Sequence, residues 1–355
     1  MQIFRTKACG IVLLILAACS QPQQNEKELF VDRFPETQAL SGVILKEIEI
    51  PVPKQLIVKD SLLVLLNGMG EHFFSVYDKS NMDLVGEFGK KGDGPLEFYE
   101  VDHIRGFTGH DERQSHLILD WNNQRLNFMN LSESIRLNSP IHTSKKLPYN
   151  LSDTYRMVYY SDTLTVAVPG GHYENVGRYK IVKGDSVKIV GYLPELPFKV
   201  HEDNFYPIYA NVSSAIHPDK TKFVATAVLL GQYDFFDFEG NHLHSTVIDR
   251  DEDLQRAARA PAIFNEPITF YLTQLIAKDS YIYSLYTTTD VKQTSLSKSK
   301  IHVLDWEGKP IKEYILDYSL SRFDLDLENH AIYGLSYSND REDKYYLVKF
   351  HLGEE

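Results

Sequence analysis

The segment GVILKEIEI, residues 42–50, has the alternation of a β-strand but no partner strand close to it in the sequence. At the other end of the chain, the last repeated unit is one strand short. There, Phe323–Leu327, Ala331–Ser336 and Tyr345–His351 supply three strands before the chain ends, one fewer than the preceding units contain. Pairing residues 42–50 with this last unit would remove an exposed sheet edge and close a ring. The sequence therefore predicts that the two ends of the chain meet in one sheet.

Between these ends, a small polar turn followed by a β-rich strand recurs along the chain. The turns are spaced by roughly 50 to 60 residues, close to the length of one four-stranded blade in a repeat protein. The predicted fold is therefore all-β: a six-bladed β-propeller of four-stranded antiparallel blades over residues 39–355, with an N-terminal strand completing the last blade. A pair of β-sandwiches is the alternative. The six turns are Lys59–Ser61, Gln114–Ser115, Ser161–Thr163, Asp219–Thr221, Lys278–Ser280 and Glu328–His330.

Two motifs resemble those of known propellers. Gly89–Phe98, GKKGDGPLEF, resembles the G-x-x-G-x-G-P-G-E-F segment that links blades in NHL-type propellers and in TolB-like six-bladed propeller lipoproteins, with Leu96 where that family prefers Gly. Asp120–Leu126, DWNNQRL, resembles their D-x-x-N-x-R-I/V strand. The resemblance implies a six-bladed propeller in which the glycines form the turn between blades, while Asn123 and Arg125 tie neighbouring blades together. No catalytic role is carried over from it.

The N-terminus has the pattern of an export signal. The basic segment Met1–Lys7 precedes Ala8–Ala18, an apolar run that is too short to span a bilayer. The run ends in LAAC, which resembles the lipobox of bacterial lipoproteins and implies removal of residues 1–18 and acylation of Cys19. Several acyl chains would give stable membrane anchoring. Residues 19–38 are then a lipidated, flexible tether; an ordinary secretory signal or a membrane anchor is the alternative.

Cysteine usage and charge narrow the possible functions. The only cysteines are Cys9 and Cys19, so the body has no thiol for a disulfide, a zinc site or a nucleophile. Removal of residues 1–18 leaves 35 basic against 49 acidic side chains, a net charge of −14. Such an acidic, exported body argues against nucleic acid as a partner. Ser20 beside the cysteine resembles lipoproteins that pass to the outer membrane, so the predicted location is the outer membrane of a bacterial cell envelope.

Long connections are predicted to gather on one face of the propeller. In a four-stranded meander, the first-to-second and third-to-fourth turns lie on one face, and the other turns and the links between blades lie on the opposite face. The first set is short, whereas the second includes Leu193–Ser214 and Asp249–Pro267. Long loops on a rigid scaffold are where binding usually occurs. The candidate binding residues are Trp121, Arg125, His172, Tyr173, Arg178, Tyr206, Tyr209 and Tyr233.

These side chains indicate the class of ligand. Aromatic faces beside Arg and His suit stacking on a sugar ring or gripping an extended peptide, so the predicted ligand is a glycan or a peptide. The alternative is that the tyrosines fill gaps between blades. Trp121 in particular directly follows a core strand, which favours packing.

Two aspartates alternate along the innermost strand of the last blade. Asp324 and Asp326 lie on one side of that strand and are expected to face the central channel, where they could hold a divalent cation. Otherwise the sequence predicts no cofactor and no metal site. Asp249, Asp251 and Asp253 begin like a calcium loop, but the required Gly and the closing acid are missing.

Three classes of function remain. The favoured one is a lipid-anchored binding module that uses the long-loop face. An enzyme is the first alternative, a hydrolase or lactonase with a metal in the channel, since some propeller enzymes use channel carboxylates. A scaffold subunit bound to another envelope protein is the second. No H-E-x-x-H, G-x-S-x-G or P-loop sequence occurs, which favours binding over catalysis.

Overall fold

Six small sheets arranged in a ring make up the fold, so the predicted all-β, six-bladed β-propeller is confirmed. The structure is a computed structural model. It describes residues 27–353 except 50–51, 93, 104–114, 148–150, 152–153, 162, 170–176, 192–195, 197, 279, 291–296 and 339–343.

The N-terminal part of the chain, residues 27–48, runs along the rim of the propeller, and we call it the strap. It contains β1 (Glu28–Phe30), β2 (Glu36–Leu40) and β3 (Gly42–Ile48). These strands join the outer edges of blades 4, 5 and 6, respectively. Strands β1 and β2 pair in parallel with their blades, whereas β3 pairs antiparallel.

Each blade is an antiparallel meander whose strands follow one another from the channel to the rim. Blade 1 contains β4 (Pro53–Lys59), β5 (Leu62–Asn67), β6 (His72–Asp78) and β7 (Leu84–Lys91), with the short β8 (Glu97–Phe98) added in parallel. Blade 2 contains β9 (Val101–His103), β10 (Ser115–Asp120), β11 (Arg125–Asn130) and β12 (His142–Lys146). Blade 3 contains β13 (Thr154–Ser161), β14 (Leu164–Pro169), β15 (Tyr179–Lys183) and β16 (Ser186–Val190).

The second half of the ring has the same order. Blade 4 contains β17 (Asn211–Ile216), β18 (Lys222–Ala227), β19 (Leu230–Asp237) and β20 (His242–Asp249). Blade 5 contains β21 (Thr269–Lys278), β22 (Tyr281–Asp290), β23 (Lys300–Asp305) and β24 (Pro310–Leu316). Blade 6 contains β25 (Leu320–Asp326), β26 (Ala331–Ser338) and β27 (Lys344–His351), and β3 is its fourth strand.

Ring closure occurs where the sequence predicts it. The pairing of β3 with β27 runs from Ile48 opposite Tyr345 to Gly42 opposite Phe350. Leu347 of β27 lies in an apolar core between blades 6 and 1. The two ends of the chain therefore meet in one sheet, and residues 42–48 of the predicted segment form the closing strand.

Every interface between neighbouring blades has its own apolar core. Six separate clusters of buried side chains fill the six interfaces in turn around the ring. Residues 62–66 of β5 are apolar at every position because the two faces of this strand pack on two different cores. The propeller is thus stabilised by side-chain burial between blades, at roughly 25 cal/mol for each Å² of apolar surface removed from water.

The linking motif forms the turn between blades 1 and 2. Gly94 N donates to Glu97 Oε2 (2.9 Å), and a Cβ on Gly92 would overlap that carboxylate, which explains the glycines. Phe98 is buried in the core between the two blades. Asp120 accepts hydrogen bonds from the backbone of this link and from Asn123 Nδ2 (2.8 Å). The bond from Asn123 lies within blade 2, so a direct tie from Asn123 to a neighbouring blade stays a prediction.

The strap overlaps the segment 19–38 that the sequence assigns to a flexible tether. That assignment was wrong for residues 28–30 and 36–38, which belong to strands. Backbone pairing with the rim of two blades, rather than an apolar run, places them there. Residues 1–26 lie outside the described residues, and so does Cys19. Among the residues that the structure describes, no helix is long and apolar enough to cross a membrane.

The long connections favour one face, but blade 2 departs from the rule. We call the face of the links between blades the long-loop face and the opposite one the tight-turn face. In blade 2, residues 121–124 make a tight turn on the long-loop face, whereas residues 131–141 form a long connection on the tight-turn face. This connection contains helix α1 (Leu131–Leu137), where the sequence suggests only a turn. Asn130 Oδ1 caps the helix by accepting from Glu133 N (3.0 Å).

A buried polar network lies beneath the strap between blades 4 and 5. Tyr233 Oη and His302 Nδ1 are 2.9 Å apart, and His302 Nε2 lies 3.4 Å from Glu313 Oε1. Phe34 of the strap covers the imidazole, with ring centroids 4.7 Å apart. Hydrogen bonding to His302, together with Lys300 Nζ at 2.9 Å, lowers the pKa of Glu313 to about 2.

A substitution at Gly42 tests the pairing of β3 with β27 that closes the ring. A Cβ at this position would lie 2.5 Å from Val348 Cγ1 and 2.8 Å from Phe350 Cε1, so Gly42→Ala forces β3 away from β27. We expect a loss of about 1–3 kcal/mol in unfolding free energy, as for other overpacked cores. Gly191→Ala is the matched control, because no atom lies within 4 Å of its added Cβ. Equal denaturation midpoints for the two variants would contradict the role given to β3.

Because the pKa of Glu313 is lowered in the folded protein, the free energy of unfolding is expected to decrease at acid pH. Its pKa in the folded protein, about 2, lies below its ordinary value of 4.5, so its contribution is present above pH 4.5 and is lost as pH falls toward 2. We expect Glu313→Gln to lower the unfolding free energy near neutral pH and to flatten its decline over this window. Urea unfolding of both proteins at a series of pH values measures the slope. Parallel curves would show that the network does not hold this carboxylate in its charged form.

Candidate functional site

Two links between blades pack together on the long-loop face and form a lobe over blade 4. The first link spans residues 198–210 and the second spans 250–268, and we call the pair the link lobe. Their helical elements are 3-10 turns at Glu202–Asn204 and Ile263–Asn265, helix α2 at Phe205–Tyr209 and helix α3 at Glu252–Ala257.

Hydrogen bonds and an apolar core join the two links. His201 N donates to Ala258 O (2.8 Å). The buried amide of Asn204 donates to the carbonyl oxygens of Ala258 (3.0 Å) and Ala260 (2.7 Å). The core beneath contains Ile208, Tyr209, Ala227, Leu229, Leu230, Leu254, Ala257, Ala258, Ile263 and Ile268. The lobe is therefore held to the strand ends of blade 4 as part of the folded body.

The start of α3 is fixed by one carboxylate. Asp251 Oδ1 accepts from Asp253 N (2.9 Å), which caps the helix, and its Oδ2 accepts from Thr269 N (2.8 Å) at the start of blade 5. Glu252 and Asp253 place negative charge in the first turn, which complements the helix dipole. Residues 251–260, which have a helix-like sequence that ends before Pro261, thus contain α3, and blade 5 sets the orientation of this helix.

An open pocket of about 530 Å³ lies beside α3. Its walls carry two guanidinium groups, two carboxylates and one carboxamide, from Glu252, Gln255, Arg256, Arg259 and Glu266, together with Ala260. Arg256 is held from two sides, by Asp253 (Nη1–Oδ1, 3.0 Å) and by Glu266 (Nε–Oε2, 3.9 Å). The pocket therefore presents donors and acceptors of both charges, from α3 (Glu252, Gln255 and Arg256) and from the segment that follows it (Arg259 and Glu266).

Aromatic side chains are exposed on the same lobe. Phe264 is 49% exposed and stacks almost parallel on Phe270, with centroids 6.0 Å apart and an interplanar angle of 9°. Phe205 at the start of α2 is 38% exposed. Phe264 and the pocket residues are not among the binding residues predicted from the sequence. The signal that could have found them is the short helix inside the predicted long loop Asp249–Pro267.

Three of the predicted binding residues come together at the base of the lobe, but two of them are buried. The Arg178 guanidinium lies over the Tyr209 ring at 5.4 Å and pairs with Asp234 (Nη1–Oδ2, 2.7 Å). Asp234 also accepts from Ser245 Oγ (2.7 Å). A charge pair this deeply buried ties blade 3 to blade 4 and is not exposed to a ligand. Tyr206, on the same helix as Tyr209, is half-buried.

The remaining predicted binding residues lie elsewhere. Tyr233 is buried in the polar network between blades 4 and 5. Trp121 packs against the core between blades 2 and 3, which is the alternative that the sequence left open for it. Arg125 is exposed at the start of β11, away from the lobe. His172 and Tyr173 lie outside the described residues.

The two aspartates of β25 are turned toward blade 1. Asp324 Oδ2 accepts from Val58 N (2.8 Å), which joins the inner strands of blades 6 and 1. Asp326 pairs with Lys79 (2.5 Å) and accepts from Asn329 Nδ2 (2.9 Å). Burial opposes ionisation of Asp326, but these hydrogen bonds prevail and lower its pKa.

Both carboxylates are therefore engaged by partners in blade 1 and do not stand free in the channel. Alternation places them on one side of the strand, but it does not say whether that side meets the channel or the next blade. Among the residues that the structure describes, no group of three or more His, Cys, Asp or Glu side chains could hold a metal ion.

Two solved structures share this fold. A Bacteroides fragilis protein described as exported matches with a TM-score of 0.51 and 12% sequence identity, over 92% of this chain and 99% of its own. A member of the DUF4221 family from Bacteroides vulgatus matches with a TM-score of 0.53 and 12% identity, over 89% of this chain and 99% of its own. Identities this low show the fold alone. No curated protein matches the chain in sequence.

A family model also matches the sequence. The family described as TolB-like 6-blade propeller-like matches residues 32–328, which extend from the strap to blade 6. This range contains both motifs on which the resemblance was based, and the ring of six blades agrees with it. The chain belongs to the TolB-like six-blade propeller family.

Proposed function

We propose that this protein is a lipid-anchored binding module of the bacterial cell envelope and that it holds a glycan or a peptide on the link lobe. The observation that carries the proposal is the pocket beside α3. Its volume of about 530 Å³ is within the usual range for small-ligand sites, and it lies on the face where the long connections gather.

The chemistry of the pocket suits a polar ligand with both donors and acceptors. Arginine and carboxamide groups bind hydroxyl, carbonyl and carboxylate oxygens, whereas the carboxylates accept from hydroxyl and amide protons. Glycans and peptide backbones present both kinds of group. The exposed rings of Phe205 and Phe264 add apolar faces on which a sugar ring or an apolar side chain can stack.

The construction of the lobe also supports binding. Asp251 fixes the start of α3, and Asn204 fastens the two links to each other. The side chains of Glu252, Gln255 and Arg256 are therefore presented on an ordered helix, and less conformational entropy is lost when a ligand binds.

The location rests on the N-terminal sequence. The apolar run that ends at Cys19 predicts export and acylation, and two or more acyl chains would anchor the protein stably. The Bacteroides fragilis protein of the same fold is described as exported, which agrees with this address. We further propose the outer membrane, on the basis of Ser20 beside the cysteine.

Arg256 offers a test with a matched control. Arg256 and Arg136 are both exposed and lie near the ends of short helices, and each pairs with an acidic residue three positions earlier. They lie on opposite faces of the propeller. After a glycan and peptide array has identified a ligand for residues 27–355, we expect Arg256→Ala to weaken its binding at least tenfold, about 1.4 kcal/mol. Arg136→Ala should leave the dissociation constant unchanged.

Isothermal titration of both variants measures the constants, and their melting temperatures show whether both remain folded. Equal binding by the two variants would remove the link lobe as the site. Hits confined to the glycan arm or to the peptide arm of the array would decide the class of ligand.

A further inference from the structure

The strap fixes the direction from which the chain reaches the propeller. Strand β1 runs parallel to β20, and β20 runs from the tight-turn face to the long-loop face. Lys27 O accepts from Ser245 N (2.8 Å), and Lys27 Nζ donates to His242 O (3.0 Å) at the first residue of β20. The described chain therefore begins at the rim of blade 4, with Lys27 on the side of the tight-turn face and β1 running toward the long-loop face.

We propose that the rim and tight-turn face of blade 4 form the surface that meets the lipid bilayer, so that the link lobe points away from the membrane. This inference rests on the proposed acylation of Cys19. It assigns a lipid surface as the partner of one side of the propeller, and it leaves the opposite side open to soluble or surface-borne ligands.

The length of chain between the anchor and the rim restricts the alternatives. The eight residue steps from Cys19 to Lys27 span at most about 29 Å when fully extended. To place the link lobe on the membrane, this segment must run back along β20 from Ser245 to Asp249, about 14 Å of strand. It must then pass a layer of helix about 10 Å thick. Placing the link lobe on the membrane would use most of the length of about 29 Å that residues 19–27 can span. Placing the tight-turn face on the membrane does not require the chain to turn back.

Side-chain contacts hold the start of the strap on the rim. Arg250 pairs with Glu28 (Nη2–Oε1, 2.8 Å), a side chain that is only 10% exposed, and the guanidinium lies 5.2 Å from the Phe30 ring centre. Further along the strap, Phe34 is buried and Lys312 pairs with Glu36 (2.6 Å). These contacts keep the strap on blades 4 and 5, so the anchor does not swing to another part of the rim.

The rim at this point has a surface that suits a bilayer. Leu29, Phe30 and Leu243 belong to its two outermost strands, and each is at least 37% exposed. Lys27, whose Nζ donates to His242 O, places a cation beside them at the tight-turn end of β20. Apolar side chains beside cations are the composition that contacts the boundary between lipid head groups and acyl chains.

The orientation can be measured because the mature body has no cysteine. Asp219→Cys places one thiol on the tight-turn face of blade 4, and Asn265→Cys places one on the link lobe; both positions are exposed. Each native, acylated variant is labelled with a fluorescent donor and inserted into phosphatidylethanolamine–phosphatidylglycerol vesicles that carry a head-group acceptor. The unsubstituted lipoprotein should take up no label.

We expect energy transfer from position 219 to exceed transfer from position 265 at least threefold. Equal transfer, or greater transfer from position 265, would overturn the proposed orientation. Flotation of the vesicles tests the anchor separately: a native protein that does not float with the vesicles would overturn the acylation and this orientation with it. A protein that floats but shows the reverse order of transfer would overturn only the orientation.

Discussion

Strand β3 reaches the last blade from the opposite end of the chain, and the ring stays closed only while it pairs with β27. Each blade buries its two faces against two neighbours, so a break at any interface exposes apolar surface on both sides. The closing interface is the only one between the first and last blades, and its strands are the most distant in sequence. Asp324 adds a hydrogen bond to Val58 across it. Loop-closure entropy opposes such a contact, and the buried core must offset it.

The strap also covers part of the rim, where exposed strand edges could pair with other chains. Two blades have their outer edges covered by the added strands β1 and β2, blade 1 is covered in part by β8, and β3 is itself the outer strand of blade 6. The outer strands of blades 2 and 3 have no added strand among the described residues. Both are five residues long, and they carry Lys145, Lys146 and Lys188. Short, charged edges resist pairing with other chains. The strap therefore covers the rim of blades 4 and 5, while short charged strands limit pairing at the rim of blades 2 and 3.

Much of the fold could be predicted from the sequence, because polar turns and the alternation of apolar and polar residues in strands are local signals. The propeller and its closure by residues 42–48 follow from them. Strands β1 and β2 escaped prediction because pairing with a remote edge leaves no apolar pattern. Arg178 and Tyr209 were chosen as polar loop residues, yet inter-blade packing buries both. The alternating sequence of β25 placed Asp324 and Asp326 on the same side of the strand. It could not show that Asp324 would bind the backbone of blade 1.

Native-state hydrogen exchange tests ring closure most directly. If β3 holds the ring together, its amides and those of β27 should exchange only through global unfolding, with the same free energy as the amides of β5 and β26. Strand β1, which contributes three residues at a rim, should exchange at a lower free energy. Exchange of the β3 amides at a lower free energy, while β5 and β26 remain protected, would contradict the account, because the ring would then persist without its closing strand.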